Sequence, residues 1–160
     1  MLTPAQMATL KANIIADAAF NGLPLNTDGA VTIANAYNLA AAPAFTVWKT
    51  NVPIVEVGRA FNGAELAGLT TGNQTRLQTI AQYLSAGVNP SLIDNRQFFD
   101  DVFSGAGGNT TRPKLLTLWK RLALRIEKLF ATGTGSDASP ATLTWEGQIS
   151  YADVEAARNS

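Results

Sequence analysis

The chain contains no cysteine and no histidine. Those two absences exclude disulfides, Cys/His zinc sites, a cysteine nucleophile and a Ser-His-Asp triad. They also remove the side chain most often used for proton transfer near neutral pH. Charged residues make up 15% of the chain, well below the usual quarter, and 46% is hydrophobic. No stretch approaches the roughly 18 consecutive apolar residues of a membrane span. The opening Met1-Leu2-Thr3-Pro4 lacks the basic segment and apolar run of a secretory signal, so a soluble, intracellular protein with no membrane partner is expected. Catalysis is left with paired carboxylates, an activated lysine or a carboxylate-bound cation. Asp100-Asp101 is the adjacent acid pair, but neighbouring residues on a helix point about 100° apart and do not form a dyad unaided.

The remaining motifs are equally bare of catalytic promise. Gly105-Ala106-Gly107-Gly108 precedes a helix start but is not followed by a phosphate-binding Lys-Ser/Thr pair, so a hinge is the plainer reading. Asp137-Ala138-Ser139 lacks the alternating acids and terminal glutamate of a calcium loop. The expectation is therefore a protein that is not an enzyme, with no catalytic residue, no metal and no cofactor.

What is present is helical pattern and segregated charge. Twelve basic and twelve acidic residues give a formal net charge of zero, yet they are unevenly placed. Residues 110–130 hold Arg112, Lys114, Lys120, Arg121, Arg125 and Lys128 against Glu127 alone, a local +5, whereas residues 131–160 carry −3. Leu115, Leu118, Trp119, Leu122, Ile126, Leu129 and Phe130 repeat at helical spacing, predicting one long helix over 111–131. On such a helix Lys114, Arg121, Arg125 and Lys128 fall within about 60° of one another, with Lys120 beside them, as a basic stripe. The stripe is a candidate surface for DNA phosphates or for an acidic protein.

Helices are also predicted from Thr3, with Gln6 completing a capping box and Pro4 in the first turn; from Asn26–Asp28 through Leu39 into an alanine run ended by Pro43; from about Pro53; from Asn73 or Thr75 to Gly87; and over Leu92–Phe103. Asp100 and Asp101 then sit at a helix C-terminus, against the dipole preference unless a cation meets them. After Phe130 the composition turns to Gly, Thr, Ser and Pro with sparse large apolar residues. Leu143, Trp145, Ile149 and Tyr151 are the candidate anchors of a docking arm. The expected fold is all-α: a small helical bundle over 1–131, with an extended C-terminal arm over 132–160 that docks on a neighbouring subunit or on a partner. Opposite charges in the helix and the arm point to self-association.

The run RLALRIEKLFATGTGSDASPATL from Arg121 to Leu143, followed by Glu146-Gly147, Ile149-Ser150, Asp153-Val154 and Ala157-Arg158, resembles a family of small virion proteins of tailed bacteriophages. Asn26-Thr27-Asp28-Gly29-Ala30, Ala36-Tyr37-Asn38 and Phe45-Thr46-Val47-Trp48-Lys49-Thr50 are similar to the N-terminal half of the same family, with Val55–Gly108 the least familiar part. The C-terminal run is the more specific. The resemblance implies a head–tail connector (adaptor) subunit: a homo-oligomeric ring, twelvefold to match the portal, with portal protein and other neck or tail proteins as partners. Passing genomic DNA would be contacted without sequence specificity, and the location would be the virion neck after synthesis in the host bacterial cytoplasm. The alternatives are another virion structural protein of capsid or tail, or a small nucleic-acid-binding accessory protein using the basic helix 111–131.

Overall fold

Thr3 begins the first helix as the sequence predicts. Its hydroxyl accepts from the Gln6 backbone N–H at 3.3 Å, and the Gln6 side chain accepts from the Thr3 N–H at 2.9 Å. The computed structural model describes residues 2–159; Met1 and Ser160, the outermost residues of the two expected segments, lie outside them. In chain order the α-helices are α1 (Pro4–Ala16), α2 (Thr27–Tyr37), α3 (Ile54–Ala60), α4 (Gly63–Ala67), α5 (Thr71–Tyr83), α6 (Ile93–Val102), α7 (Thr111–Leu118), α8 (Arg125–Phe130) and α9 (Tyr151–Asn159). Short strands are β1 (Thr46–Trp48), β2 (Lys120–Leu122), β3 (Ala131–Thr132) and β4 (Thr142–Leu143). The fold is mostly helical with small two-stranded sheets, which corrects the all-α expectation. Among the described residues no helix is long and apolar enough to cross a membrane.

The chain divides into two compact units, Met1–Val47 with Leu122–Ser160 and Trp48–Arg121. This division differs from the expected helical body over 1–131 and arm over 132–160. The segment 132–160 belongs to the first unit and packs on that unit's own helices. Leu10, Ile14, Ile33 and Tyr37 from α1 and α2 share one buried core with Ile126 of α8 and with Ile149, Val154 and Ala157. α9 packs against both α1 and α2. β3 and β4 pair antiparallel, Ala131 with Leu143 and Thr132 with Thr142, folding the chain back at once.

Two expected helices are shorter than their patterns, for one shared reason. α2 stops at Tyr37 instead of continuing through the alanine run, and the 111–131 helix is interrupted between α7 and α8. Within the first unit the two displaced segments bond to each other: Ala41 N–H donates to the Ala123 carbonyl at 2.9 Å, Ala123 N–H to Phe45 at 2.8 Å and Arg125 N–H to Leu39 at 2.8 Å. Those non-local bonds satisfy backbone groups that would otherwise need helix, so tertiary pairing overrides local propensity.

The second unit gathers Val52, Val57, Val88, Phe99, Val102, Phe103, Leu115 and Trp119 in its core. α3 packs against α7 and α5 against α6. α5 begins earlier than expected, with the Thr70 hydroxyl accepting from Asn73 N–H at 3.3 Å, and none of its residues is fully buried. The glycine run Ser104–Asn109 forms a packed 3-10 turn instead of an open hinge. Gly108 is buried, and a Cβ there would stand 1.8 Å from the Phe103 carbonyl oxygen. Gly108→Ala is expected to destabilise this unit by about 1–3 kcal/mol through overpacking, read as a lower urea midpoint in the intrinsic fluorescence of Trp48 and Trp119. Gly135, in the first unit, combines φ +66° with a would-be Cβ only 2.1 Å from the Phe45 ring, so the linker after β3 needs glycine there.

Candidate functional site

The five residues expected to form one basic stripe do not share one helix. Lys114 is on α7, Lys120 and Arg121 are on β2, and Arg125 and Lys128 are on α8. The first three belong to the second unit and the last two to the first. Lys114 is exposed and borders a shallow depression with Glu56, Arg59 and Leu118, whereas Lys120 and Arg121 are half-buried. The expectation of a continuous helical stripe is corrected: β2 and the extended Leu124 interrupt it.

Arg125 has a structural role. Its guanidinium pairs with the Asp17 carboxylate just after α1. It also lies 4.4 Å from the Tyr37 ring centroid and 5.2 Å from that of Phe20. The Tyr37 hydroxyl donates to Asn13 Oδ1 at 2.6 Å. Lys128 stands over Phe45 at 5.5 Å. Asp17, Arg125 and Lys128 border a groove of about 620 Å³ whose other walls include Ala36, Leu39 and Ala40. Two of the expected basic residues thus hold the first unit together.

The expected anchors after Phe130 have similar internal partners. Leu143 packs on the small cluster of Val47, Ala123 and Ala141. Trp145 meets Phe130 edge-on at 5.9 Å. Ile149 is buried, and its backbone N–H and carbonyl are both bonded by the Asn38 side chain, at 3.0 and 2.8 Å. Tyr151 is about half exposed (48%). Glu127, isolated among cations in the sequence, is the buried carboxylate of the first unit. It accepts from Leu124 N–H at 2.9 Å and Gly147 N–H at 3.1 Å, joining the start of α8 to the chain after β4.

A second cap was not legible from local sequence. Thr110 makes no side-chain cap to α7. Glu65 on α4 accepts instead from the Thr110 and Thr111 N–H groups, at 2.7 and 2.8 Å, an anionic partner suited to a helix N-terminus. Bonding by the Thr111 side chain, and by the two backbone N–H groups, holds Glu65 below the usual carboxylate range against an opposing effect of burial. Asp17 is lowered as well, first by its hydrogen bond from Arg125 and then by the Ala19 N–H. Burial pushes Tyr37 upward.

A group lowered on folding stabilises above its unfolded pKa and loses that effect as pH falls through the folded value; a raised tyrosine acts in reverse at alkaline pH. Stability should therefore be flat at neutral pH, fall below about pH 4 and fall again above about pH 10. Urea unfolding across pH checks this, and Asp17→Asn and Glu65→Gln should each flatten the acid limb. Asp101, poorly placed for the α6 dipole, has Arg76 3.9 Å away. Among the described residues no group of three or more acids, histidines or cysteines is arranged to hold a metal ion.

The cavity with the most distinctive chemistry lies in the second unit. About 390 Å³ in volume, it is lined by Trp48, Arg96, Asp100, Arg112, Leu116 and Trp119, among others. The Arg96 guanidinium stacks over the Trp48 ring at 4.2 Å and donates to the Pro90 carbonyl. Burial pushes Arg96 down from its ordinary value, while the Asp100 charge pulls it up. Arg112 donates to the Gly105 carbonyl at 3.1 Å and to Gly108 at 3.4 Å, so the packed glycine turn positions it. Trp119 is 2% exposed, with its ring 5.5 Å from Phe99. Its indole Nε1–H is the buried side-chain polar group that has no hydrogen-bond partner among the described residues. An unpaired buried donor costs about 1–3 kcal/mol. Sequence reading had counted Arg112 only as charge and Trp119 only as core. Arg96 and Asp100, four residues apart on α6, were the available sign.

No family model matches the chain, and neither the curated proteins nor the solved structures give a significant match.

Proposed function

We propose that the chain is a structural subunit of the bacteriophage head–tail interface, a connector that assembles as a homo-oligomeric ring between the portal and the tail. The observation that carries this reading is the run Arg121–Arg158, the part of the chain that most resembles the tailed-phage virion family. In this protein the run from Leu122 onward is part of a folded unit: α8 and α9 pack on α1 and α2, and the β3–β4 pair packs on the cluster of Val47, Ala123 and Ala141. The charged groups of that unit act in its construction. Arg125 joins Asp17, and Glu127 joins two backbone segments. Such use suits a part whose task is to hold shape under load.

The dispersal of the basic residues over α7, β2 and α8 also weighs against the accessory nucleic-acid-binding reading, which needs them together on one helix. Any contact with passing DNA is then to phosphates and independent of sequence. The test is to mix the full chain with the portal protein encoded in the same genome and to measure mass by native mass spectrometry. A stoichiometric ring complex is expected. Absence of any complex, together with salt-sensitive binding of duplex DNA by the chain alone, would overturn the proposal.

A further inference from the structure

The cavity in the second unit carries an excess of positive charge in its lining. Two guanidiniums and a carboxylate line it, Arg96, Arg112 and Asp100, leaving one excess positive charge. The hydrogen bonds that hold Arg96 and Arg112 run to backbone carbonyls, which are neutral acceptors and leave other guanidinium N–H groups available. Trp119 lines the same cavity, and its Nε1–H is buried without a hydrogen-bond partner, so its indole resonance reports on an occupant. Trp48, Leu116 and Pro113 supply apolar wall, and Leu116 is exposed at the rim (44%).

We infer that this cavity binds the carboxylate of an acidic side chain presented by a peptide segment of a partner protein. A guanidinium fork matches a carboxylate in geometry, and one excess positive charge matches one carboxylate. The apolar walls suit the methylene stem of a glutamate, and the exposed Leu116 gives the neighbouring peptide residues a surface. A DNA backbone fits less well: repeated phosphates need spaced cations, and Asp100 would repel them. The inference stands whether or not the chain is a ring subunit.

The test uses the full chain labelled with nitrogen-15 and three probes: a blocked glutamate-rich hexapeptide, its glutamine counterpart and free glutarate. The Trp119 indole resonance is assigned by its loss in Trp119→Phe. With the glutamate peptide this resonance should shift and saturate, while the glutamine peptide should bind at least tenfold more weakly and glutarate more weakly than the peptide. Arg112→Gln should lower peptide affinity about tenfold. An unmoved indole resonance at saturating peptide would overturn the inference. So would equal binding of the glutamate and glutamine peptides, equal binding of glutarate, or a shift produced by a short DNA duplex and not by the peptide.

Discussion

Val154→Asp should unfold the first unit. Val154 is fully buried on α9, which packs on α1 and α2. An uncompensated carboxylate there costs several kcal/mol, about 4–5 or more, comparable to the whole stability of a small unit. The chain supplies its own reporters. Trp145 belongs to the first unit, and Trp48 and Trp119 belong to the second. With Trp48 and Trp119 replaced by phenylalanine, Trp145 fluorescence should show the variant unfolded without denaturant. Deleting residues after Ala131 should also unfold the unit, since it removes Ile149, Val154 and Ala157 together; Trp145 goes with the deleted segment, so loss of helical circular dichroism is the readout there. A native-like Trp145 signal in Val154→Asp would mean that α9 is not core. The result also separates the two readings of the C-terminal segment: an arm that orders only on a partner would tolerate the change in the isolated chain, and an integral helix would not.

Glu127→Ala should come next in size. Its carboxylate is 2% exposed and accepts from Leu124 N–H and Gly147 N–H. Truncation leaves two part-buried donors without these partners, so a loss of about 1–3 kcal/mol is expected. Glu127→Gln should recover part of it, because the amide retains one acceptor oxygen while its NH₂ faces a donor. Urea unfolding followed by Trp145 fluorescence measures the loss. Hydrogen exchange at Gly147 should accelerate in Glu127→Ala more than exchange within α1. Equal stability of wild type and Glu127→Ala would remove the carboxylate from the account of how α8 and the chain after β4 are joined.

Local signals carried well where an element is stabilised by its own residues. The Thr3–Gln6 box and the Asn26 cap of α2 (accepting from Gly29 N–H at 3.1 Å) were legible from a few neighbouring side chains. The failures share a different character. The alanine run before Pro43 and the segment 122–125 have good helix-forming residues, yet both leave the helix because they hydrogen-bond to each other across some eighty residues of sequence. Nothing within either segment encodes that partner. The α7 cap is not legible in the neighbouring residues for the same reason, since Glu65 reaches it from α4. The C-terminal segment misled through composition: its apolar residues are sparse, but Ile149, Val154 and Ala157 are spaced to face the same core. Of the candidate site, the individual residues were visible and their assembly was not. Arg125 and Lys128 stood in the basic stripe, where the structure gives them Asp17, Phe20, Tyr37 and Phe45 as partners. Arg96, Arg112 and Trp119 carried no shared motif and meet through the packing of α6 and α7 around one cavity.

The charge balance keeps its interest in this light. The +5 and −3 segments do not mark a basic helix followed by a separate acidic arm, because the second half of the basic segment and nearly all of the acidic one lie in the same unit. Charge there is used to close the fold. The proposal that this chain is a fitted part of a virion neck therefore rests on its sequence resemblance and on the constructive use of its charged groups. Cryo-electron microscopy of the purified phage particle whose genome encodes the chain tests it most directly, with mass spectrometry of the same particles. The proposal predicts the chain in multiple stoichiometric copies, with ring density between portal and tail into which both units fit. Complete particles from which the chain is absent, or with a neck accounted for entirely by other proteins, would contradict it.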